Sequence, residues 1–243
     1  MRIKLICCDV FLRPVSALIA TSPHTIDAEY IPMLAHIKPD ELRTLLQTRI
    51  NAATTARSYD LLLLLYGLCG NATVGLTSPV KMIMPRIHDC CAMFMGSRAK
   101  FLSEFGNNLS MRWCTSGYYE RSHLENGDSY NAAISPTYHA EYRALAEQYG
   151  QDNAQYIWET MHPPIETPEA AYIKIEGYEV PGYETEFRNL VEKQGKTLRV
   201  LEGDISYLKA MINGPWDDER FLTIGPGNKI GAVYDMEQVV MAE

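Results

Sequence analysis

The chain has 243 residues, of which 47% are hydrophobic and 21% charged, so it has enough apolar side chains for a sizeable core. Its 30 acidic and 22 basic residues give a net charge of −8, which excludes the cationic surplus that binding to nucleic-acid phosphates requires. The longest apolar run, Leu61 to Tyr66, is far shorter than the roughly 20 residues of a membrane-spanning helix. No signal peptide is recognisable, and we expect a cytoplasmic protein without nucleic-acid or membrane partners.

The first half of the chain alternates strand-like and helix-like segments. Ile3 to Val10 is an apolar run that predicts a buried strand, and apolar positions three and four residues apart predict a helix from Pro39 to Ala56. Tyr59 to Tyr66 predicts a second buried strand, and Lys81 to Pro85 predicts a third. A helix is expected to follow and to extend through Phe105. This order is typical of an α/β fold built on parallel strands.

The second half of the chain begins with two helical patterns, Tyr138 to Gly150 and Asp152 to Met161, which predict a helical insertion around residues 138–162. Later patterns predict a helix, a strand, a short helix and a strand, in that order: Tyr183 to Lys193, Thr197 to Glu202, Ile205 to Ile212 and Arg220 to Ile224. Because no linker stands out, we expect the strands after residue 197 to extend the first sheet. The prediction for residues 1–243 is a single α/β domain with an open, mostly parallel sheet and helices on both faces.

Cysteines and a histidine follow the three strands predicted in the first half. Cys8 comes after the first strand, Cys69 after the second, and His88 and Cys90 after the third. Because ligands of open parallel sheets bind outside the carboxyl ends of the strands, we expect these side chains to meet at one site. Thiolate and imidazole suit zinc, or iron in thiolate-rich sites, whereas magnesium and calcium prefer oxygen ligands. The alternative is that each cysteine is a core residue, since free cysteine is often buried.

Residues beside these thiols are candidates for binding and catalysis. His88 is a candidate fourth ligand or an acid/base group that Asp89 could orient, and the alternative is that this pair caps a helix. Arg86 could neutralise a carboxylate or phosphate of a bound cofactor, although a surface salt bridge is the commoner role of such an arginine. Gly70 and Asn71 suit a tight turn with positive φ and are candidate cofactor contacts.

Two motifs are specific enough to indicate a family. They are Tyr-Gly-Leu-Cys-Gly-Asn at residues 66–71 and Pro-Arg-Ile-His-Asp-Cys at residues 85–90, and together they resemble the bacterial and archaeal domain of unknown function 1638. Shorter matches extend the likeness over nearly the whole chain: Cys8-Asp9-Val10, Gly96-Ser97, Thr115-Ser116-Gly117-Tyr118, Gly203-Asp204, Phe221 and Pro226-Gly227. Aspartate at position 9 replaces the glutamate of the family, and three cysteines match none of its motifs: Cys7, Cys91 and Cys114.

The resemblance implies a role beside corrinoid-dependent methyl transfer and one-carbon metabolism in anaerobes. It fits a zinc ion bound by the thiolates of Cys8, Cys69 and Cys90, which activates a small-molecule thiol or handles a methylated substrate. It also fits a metal site that handles a corrinoid or another metal cofactor made elsewhere. Corrinoid-dependent methyltransferases are the implied protein partners. A bound corrinoid is disfavoured, because the chain lacks the Asp-x-His-x-x-Gly signature of corrinoid carriers.

Two other functions remain open at this point. One is a metal-free enzyme in which Cys90 is the nucleophile, with His88 favouring its thiolate. The other is a non-enzymatic accessory protein that holds a metal or a cofactor in the same crevice. Iron or an iron–sulfur cluster is the alternative to zinc.

Overall fold

The computed structural model describes residues 1–106, 111–126, 140–161, 167–233 and 238–243. The strands are β1 (Arg2–Cys8), β2 (Thr25–Ile31), β3 (Leu61–Leu65), β4 (Met82–Pro85), β5 (Arg112–Cys114), β6 (Glu169–Lys174), β7 (Thr197–Glu202), β8 (Phe221–Ile224), β9 (Ile230–Ala232) and β10 (Val240–Ala242). The helices are α1 (Leu12–Ala20), α2 (Pro39–Ala56), α3 (Cys91–Phe94), α4 (Arg98–Phe105), α5 (Ser116–Asn126), α6 (Ala140–Tyr149), α7 (Gln151–Met161), α8 (Tyr183–Lys193) and α9 (Ser206–Asn213). Two short 3₁₀ turns lie at Asp9–Phe11 and Met33–Ile37.

The main sheet contains five strands in the order β2-β1-β3-β4-β8. The first four pair in parallel, and β8 pairs antiparallel with β4. Strand β3 consists of five consecutive leucines that are all buried, as expected for a central parallel strand that is covered on both faces. The predicted α/β fold with a mostly parallel sheet is therefore confirmed.

A second sheet contains β5, β6 and β7, all parallel and in that order. The prediction that strands after residue 197 extend the first sheet is wrong for β7, which pairs with β6, and correct for β8. We did not predict β6, because two of its buried positions are alanines and alanine has a low preference for strands. Without β6, the partner of β7 could not be recognised.

The segment before Pro39 also contains regular structure. It contains α1 and β2, since Pro14 lies in the first turn of its helix, where no backbone hydrogen bond is lost. Pro23 and Pro32 flank β2 and do not interrupt it. Pro39 begins α2, as predicted.

The predicted helical insertion is present as α6 and α7. The predicted limits of the insertion, Tyr138 and residue 162, lie outside the described residues. None of the helices in the described ranges is long and apolar enough to cross a membrane. One cluster of buried side chains includes residues of the main sheet together with Ala171 and Ile173 of β6, so the two sheets share a core.

Candidate functional site

A cavity of about 490 Å³ lies at the carboxyl ends of β1, β3 and β4. Cys8, Cys69 and Cys90 all line it, so the structure brings the three predicted thiols to one place. Its volume falls within the range of about 300–1,000 Å³ that is usual for small-molecule sites.

The walls of this cavity are mostly apolar. They include the aliphatic, aromatic and thioether side chains of Val10, Phe11, Met33, Leu65, Tyr66, Ile87, Met93, Met111, Trp113 and Tyr118. The polar groups beside the thiols include His36, Asp89 and Arg112. Such a lining favours a small ligand with a largely apolar body and one reactive or polar group.

Backbone contact between the loops after β3 and β4 places Cys69 near Cys90. The amide of Leu68 donates to the Ile87 carbonyl at 3.1 Å, and the amide of Cys69 donates to the His88 carbonyl at 2.9 Å. Gly67 makes this approach possible, because a Cβ atom there would lie 2.8 Å from the carbonyl oxygens of both partners. The loops therefore continue the strand pairing into the cavity.

The turn at residues 69–71 has a left-handed backbone throughout, with φ angles of 46°, 66° and 66°. Cys69 and Asn71 hold this conformation although they are not glycines, and such strained residues cost about 1–3 kcal/mol each and are common at functional sites. Gly70 lines the cavity. Asn71 is exposed and does not line it, and its carbonyl accepts a hydrogen bond from Arg43 Nη2 at 2.8 Å.

At the end of β1, Asp9 connects the Cys8 region to the next loop. Its carboxylate is buried, and Oδ1 accepts a hydrogen bond from the Met33 amide at 2.9 Å. Its Oδ2 lies 4.0 Å from Arg121 Nε of α5. Sequence reasoning used Asp9 only as part of a motif, whereas the structure gives it a positioning role.

The loop after β4 stays irregular through Cys90, and α3 begins at Cys91. Asp89 precedes the N-cap residue Cys90, and its Oδ1 accepts a hydrogen bond from the first amide of the helix, that of Cys91, at 2.8 Å. Asp89 also lines the cavity, and burial raises its pKa above the ordinary range of aspartate. The Asp89 carboxylate therefore accepts the first amide of α3 and also lies at the candidate site.

His88 and Arg86 lie away from the cavity walls. The Nε2 atom of His88 is buried, and within the described ranges it has no hydrogen-bond partner. Arg86 donates from Nε to the Asp218 carbonyl at 2.9 Å and from Nη1 to the Gln238 carbonyl at 3.1 Å, so its guanidinium holds backbone near the C-terminal end. The roles predicted for both residues in ligand binding have no counterpart in the lining of the cavity.

His36 is the histidine that does line the cavity, and sequence reasoning missed it. Burial is the main reason that the pKa of His36 is lowered, so the imidazole is held in its neutral form. His36 belongs to neither cysteine motif. It lies three residues before Pro39, which begins α2, and nothing else in the nearby sequence indicates a role in binding.

Burial also controls the thiols. It raises the pKa of Cys69 to about 12 and that of Cys90 well above its ordinary value, where the nearby Asp89 carboxylate adds to the effect. Without a bound cation these groups are neutral thiols, which are weak nucleophiles. The raised pKa values therefore give little support to Cys90 as a metal-free nucleophile, whereas a coordinating metal ion would deprotonate the thiols.

The candidate metal ligands are not arranged around a common centre. In the part of the chain that the structure describes, no three side chains of His, Cys, Asp or Glu are grouped closely enough to hold a metal ion. Metal binding would thus require the three thiols to rotate toward one point in the cavity. The remaining cysteines, Cys7, Cys91 and Cys114, are buried and do not line it.

A family model described as a protein of unknown function, DUF1638, matches residues 30–212. The chain belongs to this family. No curated protein and no solved structure matches the chain. The DUF1638 match contains the Cys69 and Cys90 motifs, whereas Cys8 precedes the matched residues.

Gly96 and Asp204, two residues within the DUF1638 match, are in close contact beside α3. Gly96 has a φ of 78°, and a Cβ atom there would lie 2.6 Å from the Asp204 side chain. Asp204 in turn donates its amide to the Phe94 carbonyl at 2.8 Å and accepts the Ser206 amide at 2.7 Å. These contacts hold the segment after β7 against α3. They therefore connect the second sheet, which contains β7, to the helix that follows β4 of the main sheet.

Proposed function

We propose that this protein binds a soft metal ion, zinc in the first place, through the thiolates of Cys8, Cys69 and Cys90, and that it activates a small-molecule thiol for methyl transfer. The observation that supports the proposal is the shared cavity: three thiols from three separate strand ends line it. Thiolates are the ligands that zinc and other soft metals prefer. Their raised pKa values as free thiols leave a bound cation as the simplest source of thiolate.

Three protein ligands leave one coordination position for a substrate sulfur. In the proposed reaction the substrate thiol loses its proton to water, and its sulfur attacks the methyl carbon of the donor. A sulfur–carbon bond forms, and the electron pair of the broken bond stays with the donor. The apolar walls, among them Met93, Met111 and Trp113, suit the methyl group.

The size of the cavity bears on the methyl donor. A corrinoid is much larger than the ligands that a cavity of about 490 Å³ encloses. We therefore propose that a corrinoid acts as donor only while bound to a separate methyltransferase protein. All six cysteines are free thiols, which suits the reducing cytoplasm that we propose as the location.

A second candidate is a metal-free protein that binds a small apolar ligand. The absence of a ready-made metal cluster among the described side chains and the mostly apolar walls favour it. In that case the thiols would contact the ligand as neutral groups.

Metal analysis of anaerobically purified protein distinguishes these functions. We expect roughly one metal ion per chain in the wild type, and near-complete loss in Cys69→Ser and in Cys90→Ser, because each substitution removes a thiolate ligand. The identity of the metal decides between zinc and iron. Cys114→Ser is the matched control, since Cys114 is buried in the second sheet, away from the cavity.

Two results would contradict the proposal. Wild-type protein that contains no metal, and takes up neither zinc nor iron(II), would favour the metal-free candidate. Loss of metal from Cys114→Ser to the same extent as from Cys90→Ser would show that the ligands are assigned wrongly.

A further inference from the structure

His36 lies on the 3₁₀ turn between β2 and α2, and this turn is attached to the end of β1. The attachment is the hydrogen bond from the Met33 amide to the buried Asp9 carboxylate. Because Asp9 directly follows Cys8, the bond brings the turn to the first thiol of the cavity.

The other end of the turn meets the loop that carries Cys69. A Cβ atom on Gly70 would lie 3.1 Å from the side chain of Pro39, so the two segments are in close contact. The turn with His36 is thus held between the loops that follow β1 and β3. This explains how a residue outside both cysteine motifs reaches the same cavity.

The imidazole of His36 has a defined orientation. Its Nδ1 atom is hydrogen-bonded to the Met33 carbonyl. A carbonyl oxygen can only accept, so Nδ1 carries the proton and Nε2 carries the lone pair. Within the described part of the chain, Nε2 has no hydrogen-bond partner. A histidine that donates one ring nitrogen to a backbone carbonyl and offers the other is the usual arrangement of a metal ligand.

We propose that His36 Nε2 is the fourth donor of the thiolate site, in the place that the sequence motifs give to His88. The inference rests on the proposed function and deepens it by completing the ligand set as three sulfurs and one nitrogen. Four protein donors would leave no open position on a tetrahedral ion, so a substrate thiol would have to take the place of the His36 imidazole. His88 does not line the cavity.

The test uses the full chain under anaerobic conditions with cobalt(II) as a spectroscopic probe and zinc for affinity. In His36→Gln we expect zinc affinity to fall at least about tenfold. The visible ligand-field bands of cobalt should change, while the near-ultraviolet thiolate-to-cobalt absorption remains. His88→Gln is the matched control and should leave the cobalt spectrum unchanged. His36→Cys, which supplies a fourth thiolate, should restore tight binding and shift the ligand-field bands to longer wavelength.

The outcomes separate this inference from the proposed function. If the wild type shows thiolate-to-cobalt absorption and His36→Gln keeps its affinity and spectrum, the inference is wrong and the proposed metal site stands. A spectrum that changes in His88→Gln and not in His36→Gln would assign the nitrogen to His88. If the wild type shows no thiolate-to-cobalt absorption at all, both proposals fail together.

Discussion

Cys69 shows how the surroundings of a single residue shape the chemistry of the site. Its backbone is strained at a φ of 46°, and its side chain is partly buried, with desolvation raising the pKa of the thiol to about 12. A strained backbone and a raised thiol pKa are both unusual for a cysteine that reacts as a free nucleophile. They are compatible with a residue that is kept for the position of its sulfur, which a bound cation would convert to a thiolate.

The raised pKa predicts an unusual pH dependence of alkylation. Only the thiolate reacts, so in metal-free protein the alkylation rate of Cys69 should keep rising by about tenfold per pH unit above pH 9. An ordinary exposed thiol, with a pKa of about 8.5, levels off there. Iodoacetamide labelling followed by peptide mass spectrometry measures the rate, with glutathione as the reference thiol. A rate for Cys69 that levels off below about pH 9.5 would contradict the burial of this sulfur.

At the scale of secondary-structure elements, the site depends on the contact between the loops after β3 and β4. Gly67 lies against the carbonyl oxygens of Ile87 and His88, and no side chain fits in that space. The sequence motif reveals a glycine here but not its reason, because the partner loop is defined only by the pairing of the two strands.

Gly67→Ala is therefore expected to push the two loops apart. We expect the free energy of unfolding to fall by about 1–3 kcal/mol, as for other substitutions that overfill a packed region. Metal affinity should fall as well, because Cys69 and Cys90 lie on opposite loops. Chemical denaturation with urea and zinc titration measure the two effects. Gly225→Ala is the matched control, since a Cβ atom there makes only ordinary contacts of 3.8 Å and beyond. Equal stability of the two variants would show that the close contact at Gly67 is unimportant.

At the scale of the whole molecule, the sequence predicted the parts of the site that follow from local patterns. Apolar runs marked β1, β3 and β4, and the rule that parallel strands present ligands at their carboxyl ends was enough to group the three thiols. His36 could not be found in this way. Its place in the cavity depends on contacts between distant segments, such as the Asp9–Met33 hydrogen bond, which leave no periodic signal.

The second sheet was harder to predict for a related reason. Trp113 of β5 and Tyr118 of α5 complete the cavity walls, but their strand and helix join the main core only through tertiary packing. A three-residue strand such as β5 has too few residues to show alternation. The part of the cavity wall formed by Trp113 and Tyr118 could therefore be recognised only in the structure.

The central claim is that three cysteine sulfurs bind one metal ion, and X-ray absorption at the zinc edge of zinc-loaded protein tests it most directly. Rotation of Cys8, Cys69 and Cys90 toward the ion predicts a shell of roughly three sulfurs at about 2.3 Å, with a nitrogen at about 2.0–2.1 Å. The sulfur shell should shrink in Cys90→Ser. A zinc environment composed only of oxygen and nitrogen would contradict the account, because it would leave the three thiols of the cavity unused.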